Sequence, residues 1–577
     1  MATVEVRLLV TAMLVLLAGG CVWAQAPQAA GPAVGVTVHE KVLHRIDRRL
    51  FGQFMERPSW GEIGPEAAIV EGTNRLQPAA RKLIEAMRIP IARFPGGTDV
   101  DYTDFRDMID NVPGRSPARP ITVGHQGHKV TNRFGYDEFL RLCEALKIAP
   151  ILVVNLRRGL LGAGGAADGA VHAARLAAYC NAPADARLPA GLADWAKLRA
   201  ANGRRQPYRV PYWQIGNESW AFVGKTDPDD YVRTVRAYVD ALRAVDPTIR
   251  IIADGCPVRF AARLHKALGK QIDYYAVHHY QPWGMTEVRR GRRRVDVASL
   301  TPRDIWLAWA TAPGVDADGQ STFDKGELRQ ARRLGYAVAM TEWNWNGWWK
   351  GEARAKARLD SVLAKGVGAA GMLHAIMRSG KTIALANQSM LIGKGWPIHA
   401  IHVDPMGKTP PYMMPSGQAT MLYSQHHGPR RLAVDLADMP RYDQPYRVGG
   451  LGPARQAAYV DLLATRSDTT LFLHAINRHF DRPMRLRVDV LALTARPGPK
   501  AAHYVLEGRL TDAPAPGEPR AVARIRRADV AIGASPFHID LPPRTVNVVE
   551  VPLAATPAGH PAPARSVPKP AKRALEG

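Results

Sequence analysis

The chain has 577 residues, of which 46% are hydrophobic and 22% are charged, and its formal net charge is +25. This composition is typical of a folded globular protein and excludes a chain that is disordered throughout. The length predicts one large domain and a smaller second domain.

The positive charge raises the question of a polyanionic partner. Most basic residues are scattered, and many lie on the faces of predicted helices, so a nucleic-acid partner is not expected. One dense run, Arg289–Arg294, lies in a predicted loop. Such a run is consistent with a solvated loop or with an anion-binding patch, and an acidic polysaccharide stays open as a partner.

The first 26 residues predict an export signal. Arg7 precedes an apolar run from Leu8 to Leu17, and small residues follow it. This run is too short to cross a bilayer as a mature helix, and no later segment has the roughly 18 uninterrupted apolar residues of a transmembrane helix. We therefore expect a periplasmic or extracellular protein without a membrane span. A lipoprotein signal, with Cys21 as a lipid anchor, is the alternative.

Short apolar strands alternate with amphipathic helices between residues 51 and 400. This alternation predicts a (β/α)8 TIM barrel, in which functional residues lie at the carboxyl ends of the strands. The eight strand candidates are Phe51–Met55, Ile91–Phe94, Pro150–Asn155, Tyr212–Ile215, Arg250–Asp254, Tyr274–His278, Ala337–Thr341 and Met372–Ala375. The helix candidates include Pro78–Arg88, Tyr136–Lys147, Asp229–Val245 and Ala353–Lys365.

The pattern changes after residue 400. From 401 to 555, short β-type runs are separated by Pro- and Gly-containing turns and strong helices are absent, which predicts an all-β sandwich of the jelly-roll type. The segment 27–50 also alternates and is expected to join this sandwich. Residues 556–577 are rich in Pro, Ala and Lys and are predicted to be a disordered tail.

Two glutamates follow or end predicted barrel strands. Glu218 lies in the run Tyr212–Trp220, where an apolar strand breaks at Gly216, and Glu342 ends the strand that begins at Ala337. A carboxyl group at the exit of an apolar strand is partly withdrawn from water, which favours the protonated form that a general acid needs. Two carboxylates at strand ends are the minimum requirement for retaining glycoside hydrolysis.

The cysteines and histidines predict neither a disulfide framework nor a metal site. Cys143 and Cys180 lie in helical patterns as small buried apolar residues, and the chain has no CxxC motif. His278 and His279 are expected to be hydrogen-bonded barrel residues, because no further ligand has suitable spacing. No cofactor is expected.

Several motifs together resemble glycoside hydrolase family 51, which is dominated by α-L-arabinofuranosidases. They are FPGG at 94–97, NRFGYDEF at 132–139, YWQIGNESW at 212–220, VHHY at 277–280 and MTEWNWN at 340–346. The resemblance extends over residues 45 to 430. It implies a TIM barrel in which Glu218 is the acid/base and Glu342 is the nucleophile.

The same resemblance implies five substrate-binding or supporting residues. Asn217 would bind the 2-hydroxyl of the sugar, Arg93 would keep Glu342 ionised, and Tyr280 would orient it. Glu56 and Gln388 would bind other hydroxyls. One or two tryptophans of the cluster that follows Glu342 (Trp343, Trp345, Trp348 and Trp349) are expected to face the cleft.

One departure concerns specificity. The family commonly has Asn after the paired glycines, whereas this chain has Thr98 followed by Asp99. Together, the export pattern and the resemblance to family 51 predict an exported, exo-acting α-L-arabinofuranosidase that acts on polysaccharide. Two alternatives stay open: the same mechanism on another, acidic glycan, and a non-catalytic carbohydrate-binding protein. Oligomeric state and exact linkage are not predicted.

Overall fold

The computed structural model describes residues 32–189, 191–223, 226–254, 258–310, 327–396, 398–510 and 523–554. The predicted signal segment and the predicted tail lie outside these residues. Within them, no helix combines the length and the apolar character required to cross a bilayer.

Eight parallel strands form a closed barrel in chain order. Each strand pairs with its neighbours in sequence, and the eighth pairs with the first. Apolar side chains such as Ile91, Ile151 and Ile252 fill the barrel interior. The strands are Gly52–Phe54, Ile91–Phe94, Ala149–Val154, Tyr212–Ile215, Arg250–Ala253, Tyr274–Gln281, Ala337–Trp345 and Ile383–Ser389. The TIM barrel is thereby confirmed.

Helices alternate with these strands. Pro78–Ala86, Tyr136–Leu146 and Pro228–Val245 bury one apolar stripe each against the barrel, as their sequence periodicity predicts. The remaining described helices of the barrel region are Arg157–Leu161, Gly165–Asn181, Ala193–Ala201, Trp220–Val223, Val258–Leu268, Pro302–Ala310, Glu327–Leu334, Glu352–Lys356 and Val362–Arg378.

The predicted eighth strand is wrong. Met372–Ala375 lies inside the helix Val362–Arg378, and the eighth barrel strand is Ile383–Ser389. This helix is buried on nearly all sides, between the seventh barrel strand, the helix Pro415–Gln425 and the C-terminal sheet. A helix without a polar face shows no 3.6-residue alternation, so its short apolar run resembles a buried strand.

The C-terminal region is mainly a ten-stranded sheet, which confirms the all-β prediction. Its inward residues, from both ends of the sheet, share one apolar core, while the opposite face of its central strands packs on the barrel region. The strands are Ala33–Arg45, Arg430–Ala437, Val460–Arg466, Thr470–Asn477, Met484–Asp489, Arg496–Pro497, Lys500–Gly508, Ala523–Ala531, Phe537–Leu541 and Thr545–Ala554.

Two features refine this region. Ala33–Arg45, far away in sequence, lies between Arg430–Ala437 and Met484–Asp489 in the sheet. The helix Pro415–Gln425 interrupts the segment that we expected to lack strong helices.

The described chain also has small accessory sheets made of Thr122–Val123 with Lys129–Val130, Arg441–Gln444 with Ala454–Ala458, Ile392–Gly393 with Ile401–His402 and Tyr412–Met413, and Val288–Arg290 with Arg293–Val295 and Tyr446–Val448.

Candidate active site

The turn after the fourth barrel strand carries Glu218. The strand ends at Ile215, and Gly216 adopts a φ of +79°. A Cβ at this glycine would lie 2.8 Å from Leu156, so both the backbone conformation and the packing require glycine. Glu218 itself has a φ of +44° and is half-buried. The break at Gly216 thus turns this carboxyl group out of the strand direction and over the barrel.

Glu342 lies in the seventh strand and is held by two donors. Arg93 Nη1 donates to Oε1 at 2.8 Å, and the Tyr280 hydroxyl donates to Oε2 at 2.6 Å. Burial favours the neutral acid, but the charges of His278 and Arg93 and the bond from Tyr280 outweigh it, so the pKa of Glu342 lies below its ordinary value. Glu342 is therefore an ionised carboxylate at neutral pH.

Arg93 links three barrel strands to this carboxylate. Its side chain is fully buried, and it also donates from Nε to Gln214 Oε1 at 2.9 Å and from Nη2 to Asn217 Oδ1 at 2.6 Å. The guanidinium lies 4.4 Å from the centre of the Phe54 ring. With these bonds and this stacking, Arg93 has one fixed orientation, and it fixes that of Asn217 as well.

His278 lies between the two glutamates. Its Nδ1 is 3.0 Å from Glu218 Oε1 and 3.6 Å from Glu342 Oε1, and its Nε2 is 3.0 Å from Thr341 Oγ1. Burial lowers the pKa of His278, but the negative charges of Glu342 and Glu218 raise it above its ordinary value. The sequence analysis expected His278 to be a hydrogen-bonded barrel residue but did not place it between the two glutamates. The signal was the two-residue spacing of His278 and Tyr280, which places both on one face of the sixth strand.

Oxygens of Glu218 and Glu342 and a nitrogen of His278 lie within 4.8 Å of one another. This spacing could in principle hold a cation. However, the guanidinium of Arg93 already neutralises Glu342, and its positive charge would repel a metal ion at the same carboxylate. The arrangement suits a carboxylate held by Arg93 beside a second carboxyl group better than it suits a metal site.

Asn217 offers an unused donor beside this pair. Its side chain is only 2% exposed, its Oδ1 accepts from Arg93, and its Nδ2 has no hydrogen-bond partner in the described protein. A buried amide donor without a partner is rare and costly. A hydroxyl group of a bound ligand would satisfy it.

Glu56 is placed by the first strand and by the glycine motif. A Cβ at Gly97 would lie 1.5 Å from Glu56 Oε1, so this glycine makes room for the carboxyl group. Burial raises the pKa of Glu56 well above its ordinary value, and the negative charge of Glu342 raises it further. A raised pKa favours the protonated form of Glu56, which can donate to a hydroxyl as well as accept from one.

Two buried aspartates hold the backbone on either side of Glu218. Asp101 Oδ2 accepts from the backbone N–H of Asn217 at 3.3 Å, and Asp254 Oδ2 accepts from that of Ser219 at 2.6 Å. Because these bonds flank a residue in the left-handed region, they fix the direction in which Glu218 leaves the backbone. No local sequence pattern identifies this pair, because only the folded backbone brings the two aspartates together.

Gln388 and Asp99 are already engaged by protein groups. Gln388 Oε1 accepts from Gln53 and Thr420, so its role as a sugar ligand stays a prediction. The buried Asp99 carboxylate pairs with Arg57 and accepts from the backbone N–H of His125 at 2.8 Å. The question of specificity therefore rests on Thr98, which is half-buried at the start of a 3-10 helix.

Of the four tryptophans that follow Glu342, three lie in the core. Trp343, Trp345 and Trp349 are at most 4% exposed. Trp348 is half-buried and belongs to an aromatic row with Tyr280, Trp283 and Trp396. The ring centres are 5.6 Å apart from Tyr280 to Trp283, 5.0 Å from Trp283 to Trp348 and 6.3 Å from Trp348 to Trp396.

Residues 83–291 match the family model of the alpha-L-arabinofuranosidase 1 domain. Alpha-L-arabinofuranosidase C of Emericella nidulans is 30% identical over 231 residues, which cover 39% of this chain and 42% of that protein. Intracellular exo-alpha-(1->5)-L-arabinofuranosidase 1 of Bacillus subtilis is 26% identical over 262 residues, 42% of this chain and 47% of that protein. The match thus spans less than half the length of either relative.

The fold is that of solved arabinofuranosidases. An alpha-L-arabinofuranosidase from Thermotoga maritima, solved as an arabinose complex, superposes with a TM-score of 0.67 at 23% identity, covering 90% of this chain and 100% of that one. A GH51 alpha-L-arabinofuranosidase from Thermotoga petrophila gives a TM-score of 0.66 with the same identity and coverage. Taken together, these comparisons confirm the resemblance to arabinofuranosidases of family 51.

Proposed function

We propose that this chain is a retaining glycoside hydrolase that removes terminal α-L-arabinofuranosyl residues from polysaccharides. The observation that carries the proposal is the unequal environment of two neighbouring carboxyl groups. Glu342 is held ionised by Arg93 and Tyr280, whereas the ion-pair partner of Glu218 among the described residues is His278. Retaining enzymes need one carboxylate and one carboxylic acid about 5–5.5 Å apart.

In the first step, an oxygen of Glu342 attacks the anomeric carbon while Glu218 transfers its proton to the oxygen of the leaving group. The glycosidic bond breaks, and an ester forms between the sugar and Glu342. Negative charge on Glu342 is consumed in this step. The bonds from Arg93 and Tyr280 therefore have to be balanced: strong enough to ionise Glu342, and weak enough to let it react.

In the second step, Glu218 is a carboxylate and takes a proton from water. The water oxygen attacks the anomeric carbon, the ester to Glu342 breaks, and both carboxyl groups return to their first state. His278, which bridges Glu218 and Thr341, holds the acid/base in one orientation through both steps. The free Nδ2 of Asn217 would donate to the 2-hydroxyl of the sugar, a bond that strengthens in the transition state.

The choice of arabinofuranose is supported by the relatives rather than by a contact in this chain. The matched family model and both relatives are named for this sugar. Because this chain has Thr98 where the family commonly has Asn, a second candidate function is hydrolysis of another glycan by the same mechanism. Export, supported by the pattern of the first 26 residues, is part of the proposal.

A panel of nitrophenyl glycosides tests the proposal. We expect turnover of the α-L-arabinofuranoside and its loss in Glu342→Gln, an isosteric variant that keeps the volume of the side chain. Turnover of a different pentoside or hexoside instead would mean that the proposed sugar is wrong, while the proposed mechanism would stand. Binding of arabino-oligosaccharides without turnover of any member of the panel would favour the non-catalytic alternative.

A further inference from the structure

Three arginines form a row on the small sheet of Val288–Arg290, Arg293–Val295 and Tyr446–Val448. Arg289 is directly opposite Arg294 on one neighbouring strand and Arg447 on the other. Residues opposite one another in a sheet point to the same face, and all three are exposed. We call this row the arginine face. The other face of the sheet carries Val288, Val295 and Val448, which are buried or half-buried and attach the sheet to the protein.

The arginine face has more charge than its protein partners neutralise. Like charges directly opposite one another destabilise a sheet. Glu287 pairs with Arg289 at 2.6 Å and lies 4.0 Å from Arg294. In the part of the chain that the structure describes, no other acidic side chain forms an ion pair with these three arginines. The row thus retains a net positive charge that the packing of the sheet does not require.

This face adjoins the outer end of the candidate active site. Residues 282–287 connect its first strand to the sixth barrel strand, which carries Tyr280. The backbone N–H of Trp283 donates to Gly449 O at 2.8 Å, directly after the strand Tyr446–Val448. The aromatic row therefore leads from Tyr280 toward the small sheet.

A further cation stands over the aromatic row itself. Lys350 Nζ lies 5.0 Å from the centre of the Trp348 ring, and its backbone N–H donates to Met285 O at 3.0 Å. Met285 in turn donates to Trp348 O at 2.8 Å. The loops that leave the sixth and the seventh strands are thereby tied into one rim, which carries exposed aromatic surface and positive charge side by side.

We propose that this rim, made of Trp283, Trp348, Lys350 and the arginine face, binds uronate-bearing segments of a polysaccharide substrate. The inference rests on the proposed function and narrows its substrate to an acidic polysaccharide that carries arabinofuranosyl side groups. Aromatic faces stack on sugar rings, and guanidinium groups pair with carboxylates in planar, two-point geometry. The link to the catalytic end of the barrel favours an acidic glycan over nucleic acid or a membrane surface.

The test compares two variants that lose the same charge. In the first, Arg289, Arg294 and Arg447 are all changed to Gln. In the matched control, three exposed arginines elsewhere in the chain, Arg187, Arg487 and Arg496, are changed to Gln. The Kd of an oligogalacturonate is measured by titration calorimetry on the full chain. We expect about fivefold or greater weakening in the first variant alone, and weaker binding by the unchanged protein in high salt.

Turnover gives the second readout. The kcat/KM of the first variant should fall about fivefold on an arabinose-bearing uronan and stay unchanged on a nitrophenyl arabinofuranoside. Equal binding by both variants would overturn the inference, as would tighter binding of DNA or anionic vesicles than of oligogalacturonate. Calorimetry measures binding without turnover. If the protein has no glycosidase activity but still binds oligogalacturonate through the arginine face, only the proposed function is refuted. Full activity without such binding would refute this inference alone.

Discussion

Tyr280→Phe removes one hydroxyl group from the candidate nucleophile and almost no volume. The lost bond, 2.6 Å from the Tyr280 oxygen to Glu342 Oε2, is a hydrogen bond to a charged group. Such bonds contribute about 1.5–3 kcal/mol. If the bond is retained in the transition state, its loss corresponds to roughly one to two orders of magnitude in kcat/KM.

The same change predicts a shift of the pH profile. Glu342 must be ionised to attack, so kcat/KM rises as the pH rises through its pKa. Tyr280 helps to hold that pKa below its ordinary value. Without the hydroxyl, the pKa of Glu342 should rise, because the carboxylate loses a hydrogen bond that favours its charged form. The acidic limb of the profile should therefore move to higher pH.

The assay is kcat/KM on a nitrophenyl arabinofuranoside from acidic to neutral pH. Tyr274→Phe is the matched control, because Tyr274 begins the same strand at the opposite end of the barrel. The control should keep the wild-type profile. An acidic limb in Tyr280→Phe that coincides with the wild type, at undiminished kcat/KM, would refute the claim that this hydroxyl tunes Glu342.

Three further predictions concern the acid, the specificity and the stability of the site. Asp101→Asn, like Glu218→Ala, should slow the hydrolysis of glycosides with poor leaving groups more than that of activated aryl glycosides, because Asp101 positions the turn that carries the acid. Equal losses on both substrate types would mean that Asp101 is merely structural. Thr98→Asn should raise kcat/KM on the arabinofuranoside by about tenfold if an amide at this position gains a bond to the sugar, and no change on any substrate would place Thr98 outside the sugar site. Glu62→Gln should lower the free energy of unfolding by about 3 kcal/mol at neutral pH, because burial, which raises the pKa of Glu62, is outweighed by His399, 3.3 Å away, and by bonds from backbone N–H groups, which together lower this pKa to about 2. This stabilisation is complete above the ordinary carboxyl pKa of 4.5 and is lost as the pH falls toward about 2, so denaturant melts of both proteins should converge in acid, and a constant difference would contradict it.

The barrel could be predicted because its strands show a local pattern, namely a short apolar run that is followed by polar residues. The run from Tyr212 shows a buried strand, a glycine break and a carboxyl group within nine residues, and the structure has the strand at Tyr212–Ile215. The helix Val362–Arg378 could not be recognised, because tertiary burial on all sides removes the polar face on which periodicity depends.

The site was predictable where one strand carries the signal and not where distant segments meet. Arg93 and Tyr280 lie near the carboxyl ends of their strands, and the structure brings both into contact with Glu342 in the seventh strand. The bonds of Asp101 and Asp254 to the turn at Glu218 join residues 116 and 35 positions apart, and no local pattern encodes them. Likewise, the engagement of Asp99 by Arg57 is a consequence of packing rather than of sequence spacing.

The most direct test of the account is chemical rescue of Glu342→Gly. This change removes the carboxylate and leaves space beside the anomeric carbon, while Glu218 and its partner His278 stay in place. The variant should have almost no activity on a nitrophenyl arabinofuranoside. Added azide should restore turnover and give a glycosyl azide with the anomeric configuration inverted, because one displacement replaces two. Substantial activity without azide, or a product of retained configuration with it, would contradict Glu342 as the nucleophile.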